Sequence, residues 1–68
     1  MTQIRINGVD EEIGASTVTE LLVARGVDPA ARFVAVAVNG SVVRRSEWPS
    51  TNLAFGDNVE IVRPLSGG

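Results

Sequence analysis

Val59-Glu60-Ile61-Val62, followed by Arg63-Pro64-Leu65-Ser66-Gly67-Gly68, is the stretch around which this chain is organised. Its first part alternates apolar and polar residues, which indicates a strand with one buried face. Pro64 has no amide hydrogen, so pairing in a sheet is expected to end there. We therefore predict a folded domain over residues 1–63 and a flexible tail over residues 64–68.

The predicted tail has the length and composition to enter a narrow site on another protein. Five residues from Pro64 onward extend at most roughly 16–18 Å. Gly67 and Gly68 carry no Cβ, so their backbone fits slots and dihedral angles that are closed to other residues. We interpret Leu65, Ser66 and Gly67 as the segment that gives Gly68 access to such a site. A frayed terminus without a function is the alternative interpretation.

Two hairpins are indicated upstream by Asn7-Gly8 and Asn39-Gly40, because this dipeptide suits the type I′ turn. The first turn joins an alternating strand over residues 2–6 to a returning strand over residues 9–13. The second joins a wholly apolar run, residues 33–38, to a short strand over residues 41–43.

One helix of about eight residues is predicted between the hairpins. Thr17 and Glu20 have the spacing of a capping box, and Gly26 stands where a left-handed residue ends a helix. Its apolar face is formed by Val18, Leu21 and Leu22.

An irregular crossing is predicted over residues 44–49, between the second hairpin and the last strand. We expect Trp48 to be a core residue, and Leu53 and Phe55 to close the open end of the core. The sequence Gly56-Asp57-Asn58 indicates the turn into the last strand.

This order of elements predicts an α+β fold with a mixed sheet of four to five strands and one main helix across one face. A right-handed connection places the last strand in the middle of the sheet, parallel to the first. This is the β-grasp arrangement of ubiquitin-like proteins.

The composition excludes several classes of function. The 68 residues include no Cys, His, Lys or Tyr, which removes the usual thiol, imidazole and amine nucleophiles and bases and the metal sites built from Cys and His. The net charge is −2 and the six arginines are scattered, so no nucleic-acid or anionic-lipid surface is expected. No membrane span or signal peptide is evident. We expect a cytoplasmic monomer that is not an enzyme by itself and binds no cofactor.

A partner surface is predicted on the side of the sheet that a single helix leaves uncovered. Apolar residues of the second hairpin and the last strand are expected to form an exposed patch there, and such patches usually mark binding sites. The patch is expected to include part of the Phe33–Val38 strand, the Val42-Val43 strand and Val62. The residues assigned to partner binding are Phe33, Val43, Val62 and Arg63.

The chain also resembles the ThiS family of sulfur carriers in thiazole biosynthesis. The resemblance rests on Val36-Ala37-Val38-Asn39-Gly40, on Val43-Arg44-Arg45-Ser46-Glu47-Trp48, on residues 56–62 and on Gly67-Gly68. The Arg-x-x-Trp step is the most discriminating of these features. Arg44 departs from the family pattern, which has proline there, and Pro64-Leu65-Ser66-Gly67-Gly68 is closer to MoaD, the small subunit of molybdopterin synthase.

This resemblance implies a mechanism. An E1-like enzyme of the ThiF or MoeB type, using ATP and magnesium, would adenylate the Gly68 carboxylate. Sulfur from a donor such as cysteine desulfurase would displace AMP and leave a thiocarboxylate, from which a thiazole synthase of the ThiG type would take the sulfur. The alternatives are a MoaD-like subunit, a sulfur carrier of another pathway, a ubiquitin-like modifier of lysines, and an interaction domain without terminal chemistry.

Overall fold

The computed structural model describes residues 1–63, which form a five-stranded mixed sheet with one α-helix on one face. The predicted tail, residues 64–68, lies outside the described residues. The strands are β1 (Thr2–Ile6), β2 (Val9–Ile13), β3 (Ala35–Val38), β4 (Ser41–Val43) and β5 (Asn58–Val62), in the order β2-β1-β5-β3-β4. The last strand β5 is central and parallel to β1, which confirms the predicted β-grasp topology.

Both Asn-Gly turns have the predicted left-handed backbone. The φ angles are 50° and 84° at Asn7 and Gly8, and 52° and 84° at Asn39 and Gly40. Asparagine and glycine tolerate this region better than other residues do. The turns fix the antiparallel registers of β1 with β2 and of β3 with β4.

The helix α1 (Val18–Ala24) begins and ends at the predicted signals. The Thr17 hydroxyl accepts a hydrogen bond from the Glu20 amide at 3.2 Å, while the Glu20 carboxylate accepts one from the Ser16 amide at 2.7 Å. At the other end Gly26 has a φ of 77°, and the Val27 amide donates to the Leu22 carbonyl at 2.8 Å. This is the Schellman closure, with Val27 itself buried.

The core lies between α1 and one face of the sheet. It is closed by a 3₁₀ helix (Arg45–Ser50) in the place where the sequence indicated only an irregular crossing. Trp48 in this helix is buried, as predicted. The other core residues are Ile4, Ile6, Ile13, Val18, Leu21, Leu22, Val27, Val36 and Val59.

Two expectations about apolar residues are wrong. The strand predicted from residue 33 begins only at Ala35, because Phe33 adopts a φ of 66°, which an extended strand does not accommodate. Phe55 does not close the core, since it lies in the turn before β5 and is 79% exposed. Leu53 does pack against the core.

Candidate partner surface at the end of the central strand

The candidate site is built around β5, which leads directly to the predicted tail. On one side β5 pairs with β3 along its length, from Val38 opposite Val59 to Ala35 opposite Val62. On the other side its parallel pairing with β1 ends at Ile6, opposite Val59. The part of β5 nearest the tail therefore extends beyond the end of β1.

The side chain of Asn7 continues this pairing where β1 stops. Its Oδ1 accepts a hydrogen bond from the Ile61 amide at 2.8 Å, and its Nδ2 donates to the Ile61 carbonyl at 3.2 Å. Asn39 in the other turn binds the start of the same strand, with its Oδ1 accepting from the Asn58 amide at 2.9 Å. The Asn-Gly signal predicts both turns, but it carries no information about these partners.

The sheet face opposite α1 carries an apolar area, which we call the open patch. It consists of Ala35 and Ala37 on β3, Val42 on β4 and Val62 on β5. The registers place Val42 beside Ala37 and Val62 beside Ala35, so the four side chains are neighbours. Val42 is 78% exposed and Val62 is 63% exposed. Val62 therefore points away from the helix, as predicted.

The remainder of this face is charged. Arg5 on β1 forms an ion pair with Asp10 on β2, at 3.1 Å between Nε and Oδ1. Glu60 lies on β5 opposite Ala37, at the boundary with the open patch. Glu12, opposite Gln3, is also exposed. The apolar half of the face is thus the half next to the strand end, and the polar half lies on the first hairpin.

The structure divides the residues assigned to the partner surface into two groups. Val62, Arg63 and Phe33 are all exposed. Phe33, two residues before Ala35, precedes the end of β3 that pairs with Val62. Val43 differs, since it lies opposite Val36 and packs against the core. The expected exposure of Val43 is therefore wrong and that of Val42 is confirmed, because successive side chains of β4 point to opposite faces of the sheet.

The Arg-x-x-Trp step supports the loop before β3. The guanidinium carbon of Arg45 lies 4.7 Å from the centre of the Trp48 ring. The same guanidinium donates hydrogen bonds to the carbonyls of Pro29 and Ala31, the latter at 2.6 Å. This motif therefore fixes the segment that leads to Phe33.

The described part of the chain has neither a cluster of metal ligands nor a helix suited to spanning a membrane. Residues 1–63 contain no group of three acidic side chains placed to hold a metal ion. Within the same residues, no helix is long and apolar enough to cross a bilayer.

Comparison with known proteins identifies the family. The model of the ThiS family matches residues 3–68. The crystal structure of the thiamine biosynthesis protein ThiS from Geobacter metallireducens is 36% identical, with 98% of this chain and 100% of that chain covered and a TM-score of 0.78. A solution NMR structure of a thiamine biosynthesis protein from the same organism matches at 33% identity and a TM-score of 0.78, covering 98% of this chain and 88% of that chain.

A search of curated protein sequences gives no significant match. The family match nevertheless spans nearly the whole sequence, and both similar structures share the β-grasp fold described above. The chain therefore belongs to the ThiS family, the small sulfur carriers of thiamine biosynthesis.

Proposed function

We propose that this protein carries sulfur on the carboxylate of Gly68. An E1-like enzyme joins that carboxylate to the AMP portion of ATP and releases pyrophosphate. The terminal sulfur of a persulfide on a donor such as cysteine desulfurase then attacks the carbonyl carbon, and AMP leaves. A thiol reductant cleaves the S–S bond of the resulting acyl disulfide and releases the donor. The product is a terminal thiocarboxylate, in which sulfur has replaced one carboxylate oxygen.

The need for activation follows from the chemistry of the terminus. A carboxylate is a poor electrophile, whereas its mixed anhydride with AMP has a good leaving group. The chain has no Cys among its 68 residues, so no thiol elsewhere on it can hold transferable sulfur. ATP and Mg²⁺ are bound by the activating enzyme, and this chain acts in the cytoplasm as its protein substrate.

One observation carries this proposal: the family match extends through residue 68, on a fold whose central strand ends at Val62. A central strand held on both sides gives the following segment a fixed starting point. Leu65, Ser66 and Gly67 are proposed to extend from that point into the enzyme, and the absence of a side chain at Gly67 leaves room for a close approach.

The open patch, together with Phe33 and Arg63, is the proposed docking surface for the activating enzyme. Val42 and Val62 are exposed apolar residues on the uncovered face of the sheet. Burial of such side chains at an interface is favourable at roughly 25 cal/mol per Å² of apolar surface. Docking there places the end of β5 beside the enzyme, so the tail needs to cover only a short distance.

The proposed acceptor is a thiazole synthase of the ThiG type. The test uses thiocarboxylated protein as the only sulfur source in two reconstituted reactions, thiazole formation with thiazole synthase and dithiolene formation with the large subunit of molybdopterin synthase. We expect turnover with thiazole synthase to be the faster of the two. Turnover only with the molybdopterin synthase subunit would overturn the assignment of the acceptor.

A further inference from the structure

We propose that Asn7 is a positioning residue for the carrier terminus. Its side chain forms hydrogen bonds with the backbone of Ile61, near the end of β5 that leads to the tail. The inference rests on the proposed function, because it concerns how the tail is delivered for adenylation. Asn7 lies 54 residues before Ile61 in the sequence, in a hairpin turn with no other evident role in the carrier chemistry.

The geometry is that of a parallel ladder continued by a side chain. The Arg5 amide donates to the Asp57 carbonyl and the Asn7 amide donates to the Val59 carbonyl, both at 2.9 Å. These two acceptors are two residues apart along the chain, so the next acceptor in the ladder would be the Ile61 carbonyl. There the Asn7 carboxamide takes the place of the missing backbone, with Oδ1 accepting from the Ile61 amide and Nδ2 donating to its carbonyl.

The contact between Asn7 and Ile61 lies where the backbone pairing of β1 with β5 has already ended. Among residues 1–63, β3 is the only strand that pairs with β5 beyond Val59. The two bonds from Asn7 supply the second side, two residues before Arg63. Each such bond contributes little to global stability, yet its loss opens the end of the strand locally. An end that opens more often directs the tail less accurately.

Accurate direction affects the chemical step more than docking. Adenylation requires the Gly68 carboxylate to approach the α-phosphate of ATP in a defined geometry, and small misplacements lower the rate strongly. Val42 lies on β4, which β5 and β3 separate from β1, and Val62 is paired with Ala35 on β3. We therefore expect the proposed docking surface to remain in place without the Asn7 side chain. Loss of the Asn7 contact is therefore expected to lower kcat of adenylation while the KM for the carrier stays nearly constant.

Asn39 offers a matched control within the same chain. It is the first residue of the other Asn-Gly turn, has nearly the same φ, and also binds the backbone of β5. Its side chain accepts a hydrogen bond from the Asn58 amide and donates one to the Asp57 carboxylate, both near the start of the strand and away from the tail. A general weakening of β5 would follow from losing either side chain, whereas a positioning role predicts an effect from Asn7 alone.

The test compares Asn7→Gly with Asn39→Gly, since glycine accepts the left-handed backbone at both turns. Hydrogen exchange on the free carrier is expected to be about tenfold faster at the Ile61 amide in Asn7→Gly only. With the activating enzyme and ATP, kcat is expected to fall about tenfold in Asn7→Gly, with less than about a twofold change in KM. Asn39→Gly should retain the wild-type kcat.

Asn7→Asp provides a second measurement, because it keeps an acceptor for the Ile61 amide and loses the donor to the carbonyl. We expect its Ile61 protection and its kcat to lie between those of the wild type and Asn7→Gly. Equal kcat values for the two glycine variants, or an unchanged kcat in Asn7→Gly despite faster exchange at Ile61, would overturn the positioning role. Failure of the wild-type protein to be adenylated at all would instead overturn the proposed function and the inference with it.

Discussion

The indole Nε1 of Trp48 donates a hydrogen bond to the carbonyl oxygen of Val43 at 2.9 Å. Trp48 is only 2% exposed, so this bond satisfies the indole N–H inside the core. It joins the 3₁₀ helix to the last residue of β4. The most discriminating motif of the sequence thus acts as a support for the sheet face that is proposed to bind partners.

Replacement of Trp48 by Phe should destabilise the domain by about 2–3 kcal/mol. The smaller ring leaves part of the core unfilled, and the Val43 carbonyl loses its donor. Thermal unfolding followed by circular dichroism measures this change. Phe55→Leu serves as the control, because Phe55 is exposed and its replacement should change the free energy of unfolding by less than about 0.5 kcal/mol. Equal losses in the two variants would contradict the supporting role of Trp48.

Val62→Asp should weaken binding to the activating enzyme by about tenfold or more while the domain stays folded. The side chain is exposed at the centre of the proposed docking surface, where a buried unpaired carboxylate is costly. Affinity is measured by calorimetry or surface-based binding, and folding by thermal denaturation.

Val9→Asp is the matched control for that variant. Val9 is also exposed, but it lies opposite Ile6 and therefore on the helix side of the sheet. It introduces the same charge away from the open patch and should leave affinity nearly unchanged. Equal weakening by both variants would indicate a general charge effect and contradict the proposed docking surface.

Much of the fold could be predicted because local signals decide it. The two Asn-Gly turns and Gly26 have a left-handed backbone that few other residue types adopt, and the Thr17 hydroxyl caps the helix by accepting a hydrogen bond from the Glu20 amide. These signals fix the element boundaries, and the order of the elements then limits the topology. The central position of β5 follows from this order.

The errors arise where tertiary contacts override local pattern. The apolar run before β3 has no local mark that it begins with a left-handed Phe33, a conformation adopted beside the loop that Arg45 holds. Which of Val42 and Val43 faces the open side depends on the register of β4 with β3. Two adjacent valines give no local indication of that register. The pairing of Asn7 with Ile61 was not predictable either, since it joins residues at opposite ends of the chain.

Gly67→Val should abolish adenylation while leaving the melting temperature close to that of the wild type. A β-branched side chain restricts the backbone and fills the space proposed for a narrow slot. Among residues 1–63 the buried core extends from Ile4 to Val59, so a change at position 67 should not disturb it. Pyrophosphate release in the presence of the activating enzyme measures the reaction.

Gly67→Ala is the graded control, because it adds a single methyl group and should retain part of the activity. A large fall in melting temperature for Gly67→Val would show that the tail is structural. Full activity of the valine variant would show that no narrow slot surrounds position 67.

The most direct test of the account is the intact mass of the carrier after incubation with its activating enzyme, ATP, Mg²⁺ and inorganic sulfide. A variant lacking Gly68 is the control, and activity of the enzyme is verified on another carrier. We predict that the wild-type mass rises by the difference between one sulfur and one oxygen atom, that fragmentation places the change at Gly68, and that the shortened variant does not change. An unchanged wild-type mass, or a sulfur atom found at any other residue, would contradict the claim that Gly68 carries the sulfur.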